Sequence, residues 1–289
     1  ELAASGCEIV RVAVPDAEAA RVLPEILARS PIPVIADIHF DARLALAAID
    51  AGVHGVRINP GTLGKPAALR EVAVAAAQAS VPVRIGINGG SIEREILARF
   101  GGATPAAMVE SALRHCRQFE DWGCSALKVS LKSSAVTATV AAYRQFAAVS
   151  DYPLHIGVTE AGTARVGTIK SAVGLGALLL AGLGDTLRVS LTAPPVQEVH
   201  VARQILEAAG RRVARPELVS CPTCGRTAID LVPIAAAVEA AVDELRAAGM
   251  TIDLGKVAIM GCVVNGPGEA RDADLGIAGG CGEGVLFKH

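Results

Sequence analysis

Aromatic residues are nearly missing: one Trp, two Tyr and five Phe make 3% of 289 residues. A core in this chain must therefore come from aliphatic side chains, which suits alanine-rich helices packed on compact strands. Charge of either sign is not in excess, since 27 Lys and Arg face 29 Asp and Glu for a formal net charge of -2. That balance excludes a general nucleic-acid binder. No hydrophobic run is long enough to span a bilayer; the longest, "SAVGLGALLLAGLG" from Ser171, is short and broken by glycine. No secretory signal opens the chain, and seven cysteines spread over this length fit a reducing, cytoplasmic setting better than a disulfide scaffold. Low-complexity segments and an initial Met are also lacking. The opening "ELAASG" reads as the last turn of a helix closing on glycine, so that something is expected to precede it.

What is there is a repeat. Short β-rich runs begin at Glu8, Pro33, Gly55, Pro82, Ala126, Leu154 and Asp185, and helical patterns such as "DAEAARVLPEILARS" and "TPAAMVESALRHCRQF" separate them. Asp16 and Thr104 stand where N-caps belong. Seven βα units in succession demand a parallel sheet, open or closed.

Polar residues inside those strands choose between the two. Asp37 and His39, Arg57 and Asn59, Arg84 and Asn88, Lys128 with Ser130 and Lys132, His155 and Thr159, and Arg188 and Ser190 recur at period two. Each set thus lies on one face of its strand. An open doubly wound sheet would bury both faces and read as continuous apolar runs. The pattern predicts a TIM-type (β/α)8 barrel lacking its first strand, with polar faces converging at the carboxyl end. Arg57, Arg84, Lys128, Lys132 and Arg188, joined by Arg11, face chiefly Asp37 and Glu160. Such a mouth suits a phosphate or diphosphate, because guanidinium forks match phosphate oxygens.

The alternation changes at "RRVARPE", which is read as a linker between a barrel over residues 1–210 and a small α+β domain over residues 217–289. The second domain holds Cys221-Pro-Thr-Cys224, a long amphipathic helix, the strand "KVAIMGCVV" with Cys262, and the turn "NGPGE" with Asn265, Pro267 and Glu269. A bare C-x-x-C serves redox, zinc or iron-sulfur chemistry alike. Cys262 can bring a third thiolate and Glu269 a carboxylate, a donor set for iron or zinc; Cys281 is the competing fourth ligand of an all-cysteine zinc site. On residues alone, a phosphate-binding barrel isomerase or pterin-type synthase with a structural zinc module stays open.

Five stretches carry a resemblance. "IADIHFDARLAL", "VRINPGTLG", "IGVTEAGTAR", "CPTC" and "GCVVNGPGEA" are similar to the motifs of the 4-hydroxy-3-methylbut-2-en-1-yl diphosphate synthase (GcpE) family of the non-mevalonate isoprenoid pathway, from end to end of the chain. The family's barrel opens with a further strand and a Ser-Met-Thr-Asn-Thr-like stretch not found here, so the chain is read as truncated at its amino end. The resemblance implies a barrel that binds methylerythritol cyclodiphosphate and a four-iron four-sulfur (4Fe-4S) cluster on Cys221, Cys224, Cys262 and Glu269. It further implies electrons from ferredoxin or flavodoxin, ring opening with loss of water to an allylic diphosphate, and a homodimer.

Roles follow from both readings together. Arg11, Arg57, Arg84, Lys128 and Arg188 are expected to hold the diphosphate, with Asn59, Asn88, Ser130, Ser190 and Asn265 adding hydrogen bonds. Glu160 is the candidate for proton handling, Asp37 and His39 for orienting hydroxyls, and Glu269 for both a ligand and a catalytic part.

Overall fold

The computed structural model describes residues 1–213, 216–248, 250, 252–262, 268, 270–280 and 284–288. They form two compact units, Glu1–Ala209 and Gly210–His289.

In the first unit seven strands run in chain order: β1 (Val10–Ala13), β2 (Val34–Ile38), β3 (Gly55–Ile58), β4 (Val83–Asn88), β5 (Leu127–Lys132), β6 (His155–Ile156) and β7 (Thr186–Leu187). β1 to β5 pair in parallel, each with the next; β6 and β7 pair in parallel, and the Val129–Leu154 bridge joins β5 to β6. This is the TIM-barrel type read from the repeat. Helices between strands begin where the caps were expected: Asp16 accepts the Ala19 N–H at 2.8 Å and Thr104 the Ala107 N–H at 3.2 Å. Alternate strand residues such as Ile38, Val56, Ile58, Val83, Ile85, Ile87, Val129 and Leu131 are fully buried in the core shared with the helices. Their intervening neighbours are the polar ones, so period two has become two faces.

Two expectations were too long. β6 and β7 are two residues each, shorter than the β-rich runs "LHIGVTE" from Leu154 and "DTLRVSL" from Asp185 that predict them. For β6 the cause lies at Tyr143, a fully buried side chain on the helix Val136–Ala147. Its hydroxyl accepts the Leu131 N–H at 3.1 Å and donates to the His155 carbonyl at 2.6 Å, so it stands between β5 and β6 where ladder bonds would run. Arg188 and Ser190 lie beyond β7 rather than in a strand, although the Arg188 N–H still reaches the Ile156 carbonyl at 3.0 Å.

The second unit is a four-stranded sheet in the order β11-β10-β9-β8. Here β8 (Glu217–Ser220), β9 (Lys256–Met260) and β10 (Leu275–Gly279) are parallel and β11 (Gly284–Lys288) is antiparallel to β10. The helix Leu231–Ala247 is the crossover from β8 to β9. Gly276 and Gly279 leave room for Phe287 and Ile229, whose side chains would collide with any Cβ there. The buried cluster is small: Ala258, Met260, Ala270, Ala273 and Ala278, with Val219, Cys221 and Phe287 packed against it. Among the described residues, no helix is long and apolar enough to cross a membrane.

Candidate active site

Register aligns the charges. Asp37 is the neighbour of Arg57, Arg57 of Arg84 and Arg84 of Lys128 on successive strands, while Ser130 sits beside Gly86 and Lys132 beside Asn88. Asp37, Arg57, Asn59, Arg84, Ser130 and Lys132 are all buried. One carboxylate organises this face: Asp37 meets Arg57 at 3.0 Å, Arg11 at 3.2 Å and His39 at 3.5 Å. Burial alone would raise the Asp37 pKa, but the two guanidiniums outweigh it and hold the group below its ordinary value.

The other cations share no such partner. Arg84 is pushed down to about 9 by burial and by Arg11 and Arg57. Lys132 is lowered well below an ordinary lysine by burial, then by Arg84, Arg11, Arg188 and Arg57. His155 falls for the same reasons, burial first and Lys132 and Arg84 next. Its Nδ1 lies 3.0 Å from Thr186 Oγ1, and its buried Nε2 has no hydrogen-bond partner among the described residues. A buried cluster of mutually repelling cations with one carboxylate among them is a site made for a multiply charged anion.

Two glycines make the space. A Cβ at Gly86 would stand 2.8 Å from Arg57 Nε, and one at Gly157 would stand 2.8 Å from Lys132 Nζ and 2.7 Å from the Arg188 carbonyl. Arg57 and Lys132 thus cross the strands beside them at positions without side chains. Gly157→Ala is expected to displace Lys132 or Arg188 and to raise the Kd for inorganic diphosphate roughly 10-fold, the scale of one charged hydrogen bond, with the thermal midpoint read in parallel. Unchanged affinity would show that the glycine serves packing only.

The remaining candidates divide. Lys128 is the second residue of β5 and lines a cavity with Pro82, Arg117, Glu120, Tyr152 and Pro153 at the amino ends of β4 to β6, whereas Lys132 is the last residue of β5. Arg188 lies 3.6 Å from Glu198, and Ser190 is half-buried. Asn88 ends β4. Glu160 is exposed, with φ of 51°, the left-handed region a non-glycine residue seldom adopts. Among the described residues it pairs with neither Lys128 nor Arg188. Lys132 belongs to the cationic mouth and His155 to the polar stripe, but neither is among the residues expected to hold the substrate; the signal that singles them out is burial among like charges.

In the second unit Cys221 directly follows β8 and Cys262 comes two residues after β9, so both leave adjoining parallel strands at the same end. The Gly261 N–H donates to Cys221 Sγ at 3.2 Å. The loop with Cys224 folds back on the same place: the Cys224 N–H reaches Thr227 Oγ1 at 2.9 Å and the Ala228 N–H reaches the Gly261 carbonyl at 2.8 Å. The Arg226 N–H and guanidinium lower the Cys224 thiol below its ordinary value. N–H donors aimed at sulfur are the surroundings an iron-sulfur group takes, so the donor chemistry fits one. Among the described residues no set of three His, Cys, Asp or Glu side chains stands close enough to hold a metal. Asn265, Pro267, Glu269 and Cys281 lie outside the described residues.

Family models match both units: a GcpE TIM-barrel domain over residues 1–203 and a GcpE protein C-terminal domain over residues 217–289. The chain belongs to the GcpE family. Curated relatives named 4-hydroxy-3-methylbut-2-en-1-yl diphosphate synthase (flavodoxin) include that of Geobacter sulfurreducens, 58% identical over 100% of this chain and 80% of its own length. The relative of that name in Maridesulfovibrio salexigens is 56% identical over 99% of this chain and 78% of its own. Among solved structures, a Yersinia pestis dihydropteroate synthase covers 73% of the chain and 86% of its own at 16% identity and a TM-score of 0.48. Membership makes this GcpE chain an oxidoreductase of isoprenoid biosynthesis and implies an iron-sulfur cofactor.

Proposed function

We propose that this chain converts 2-C-methyl-D-erythritol 2,4-cyclodiphosphate to (E)-4-hydroxy-3-methylbut-2-enyl diphosphate. The substrate takes two electrons and two protons, its ring opens, and one water leaves. The observation that carries the reading is the cluster of buried Arg57, Arg84 and Lys132 with half-buried Arg11 around one carboxylate, on a chain that matches the family along both units.

The cluster of cations holds the diphosphate, with Arg188 at its edge and Asn59, Asn88, Ser130 and Ser190 adding hydrogen bonds. Asp37, already shared by Arg11, Arg57 and His39, fixes the guanidinium directions and with His39 orients substrate hydroxyls. Glu160, exposed beyond β6, handles a proton at the departing hydroxyl. Cys221, Cys224, Cys262 and Glu269 would hold a 4Fe-4S cluster, which when bound supplies electrons one at a time from flavodoxin or ferredoxin. Asn265 lends a hydrogen bond near it. The working form is a homodimer, and its thiols suit a cytoplasmic setting.

Anaerobic purification followed by iron and sulfide analysis, with turnover of the cyclodiphosphate by a reduced flavodoxin, tests this. Iron and sulfide in equal amount with formation of the allylic diphosphate is the expected result. A colourless protein containing zinc, or one that leaves the cyclodiphosphate intact, would overturn the reading.

A further inference from the structure

Glu93 stands at the start of the helix Arg94–Phe100, yet its side chain caps nothing there. It turns instead to another helix, Pro105–Asp121, where Oε2 accepts the Ser111 hydroxyl at 2.7 Å and Oε1 lies 2.9 Å from His115 Nε2. Ser111 and His115 are buried, and His115 Nδ1 is itself held 3.1 Å from Gln118 Oε1. Burial would push the Glu93 carboxyl up, but His115 and Ser111 outweigh it and hold it at about 2. A carboxylate sequestered this way fixes its own backbone.

What it fixes is the segment leaving β4. That segment runs from Asn88 through the 3-10 turn Gly89–Ser91 to the buried Ile92 and then Glu93. Its first end is tied by the Asn88 N–H to Ser91 Oγ at 3.3 Å and by Ser91 Oγ to the Asn88 carbonyl at 3.0 Å. Gly61, in the turn after β3, lies so close that any Cβ would run into the Ser91 carbonyl. The ion pairs Arg99–Glu110 and Arg114–Glu95 also join the two helices, but they are exposed, and such pairs hold little. The anchor of the far end is the half-buried Glu93, held by the buried Ser111 and His115.

We propose that Glu93, through Ser111 and His115, is a positioning residue that sets the place of Asn88 at the carboxyl end of β4 and so tunes capture of the cyclodiphosphate. This rests on the reading that Asn88 contacts that substrate. Loss of one such polar anchor is worth roughly 3- to 10-fold, and it should appear in KM and in substrate Kd, with kcat within about twofold, because Glu93 touches nothing that reacts.

The experiment is a double-mutant cycle on the iron-loaded full chain: Glu93→Gln, Asn88→Ala and the pair, with Ser111→Ala as a milder second break and a thermal melt for each. Expected are a raised KM in Glu93→Gln and in Ser111→Ala, a raised KM in Asn88→Ala, and no further rise when Glu93→Gln is added to Asn88→Ala. Additive effects would overturn the proposal, as would an unchanged KM in both Glu93→Gln and Ser111→Ala. If Asn88→Ala alone is silent, the reading of Asn88 as a substrate contact falls and the proposal with it; if Asn88→Ala is impaired while the Glu93 and Ser111 variants are not, only the proposal falls.

Discussion

Alanine at Cys221, Cys224 or Cys262 is expected to bring iron and sulfide to background and to abolish turnover, while Cys281→Ala keeps both. The three positions differ in what else they do, which separates ligand loss from misfolding. Cys221 packs on the small core and accepts the Gly261 N–H, so its removal also leaves a donor unpaired, at a cost of about 1–3 kcal/mol. Cys224 is exposed and packs on nothing in that core. Iron loss in Cys224→Ala therefore cannot be laid to packing. The unit Gly210–His289 buries few side chains of its own, and binding that tightens only the folded form adds directly to its stability. All three variants should then be cut sooner by a protease within Gly210–His289 than the loaded parent is. Iron retained in Cys262→Ala, or lost in Cys281→Ala, would overturn the ligand set.

Much of this arrangement is legible in the residues because strand periodicity is local. Asp37, Arg57, Arg84 and Lys132 alternate with Ile38, Val56, Ile85 and Leu131, and a pleated strand turns that alternation into an interior polar face and an exterior apolar one. Capping is local too, which is why Asp16 and Thr104 open helices as read. The length of β6 was not legible, since it depends on Tyr143, whose hydroxyl enters the ladder from the helix between β5 and β6. Nor was the difference between Lys128 and Lys132: both lie on one face of β5, four residues apart, and only the depth along the strand gives one an amino-end cavity and the other the cationic interior. Glu93 and His115 are 22 positions apart on different elements, and no spacing rule joins them.

Lys132→Met is expected to move stability and binding in opposite directions. Lys132 is buried beside Arg84, Arg11, Arg188 and Arg57, and its pKa is lowered well below the ordinary value. Folding then either confines a charge among like charges or costs the lysine its proton. Methionine has a similar reach and no charge, so the variant should gain on the order of 1–2 kcal/mol, the usual yield at a position strained for function, or roughly 2–4 °C in thermal midpoint. The pH dependence has a definite sign. Because the folded pKa is depressed, the unfolded chain binds the proton more tightly, and the cost to the parent is full on the acid side. It shrinks as pH rises above the folded pKa and vanishes past the ordinary lysine value of about 10.4. The gap between the two melting curves should close accordingly between neutral and alkaline pH. Binding goes the other way: a diphosphate placed among these cations recharges Lys132 and pairs with it, and removing one member of such a buried pair costs about 2–5 kcal/mol, roughly 30-fold in Kd at the least. Isothermal titration with inorganic diphosphate reads the affinity without reliance on turnover. A variant that is less stable than the parent at neutral pH, or one that binds diphosphate as well, would mean that Lys132 is a structural cation and that the anion sits elsewhere.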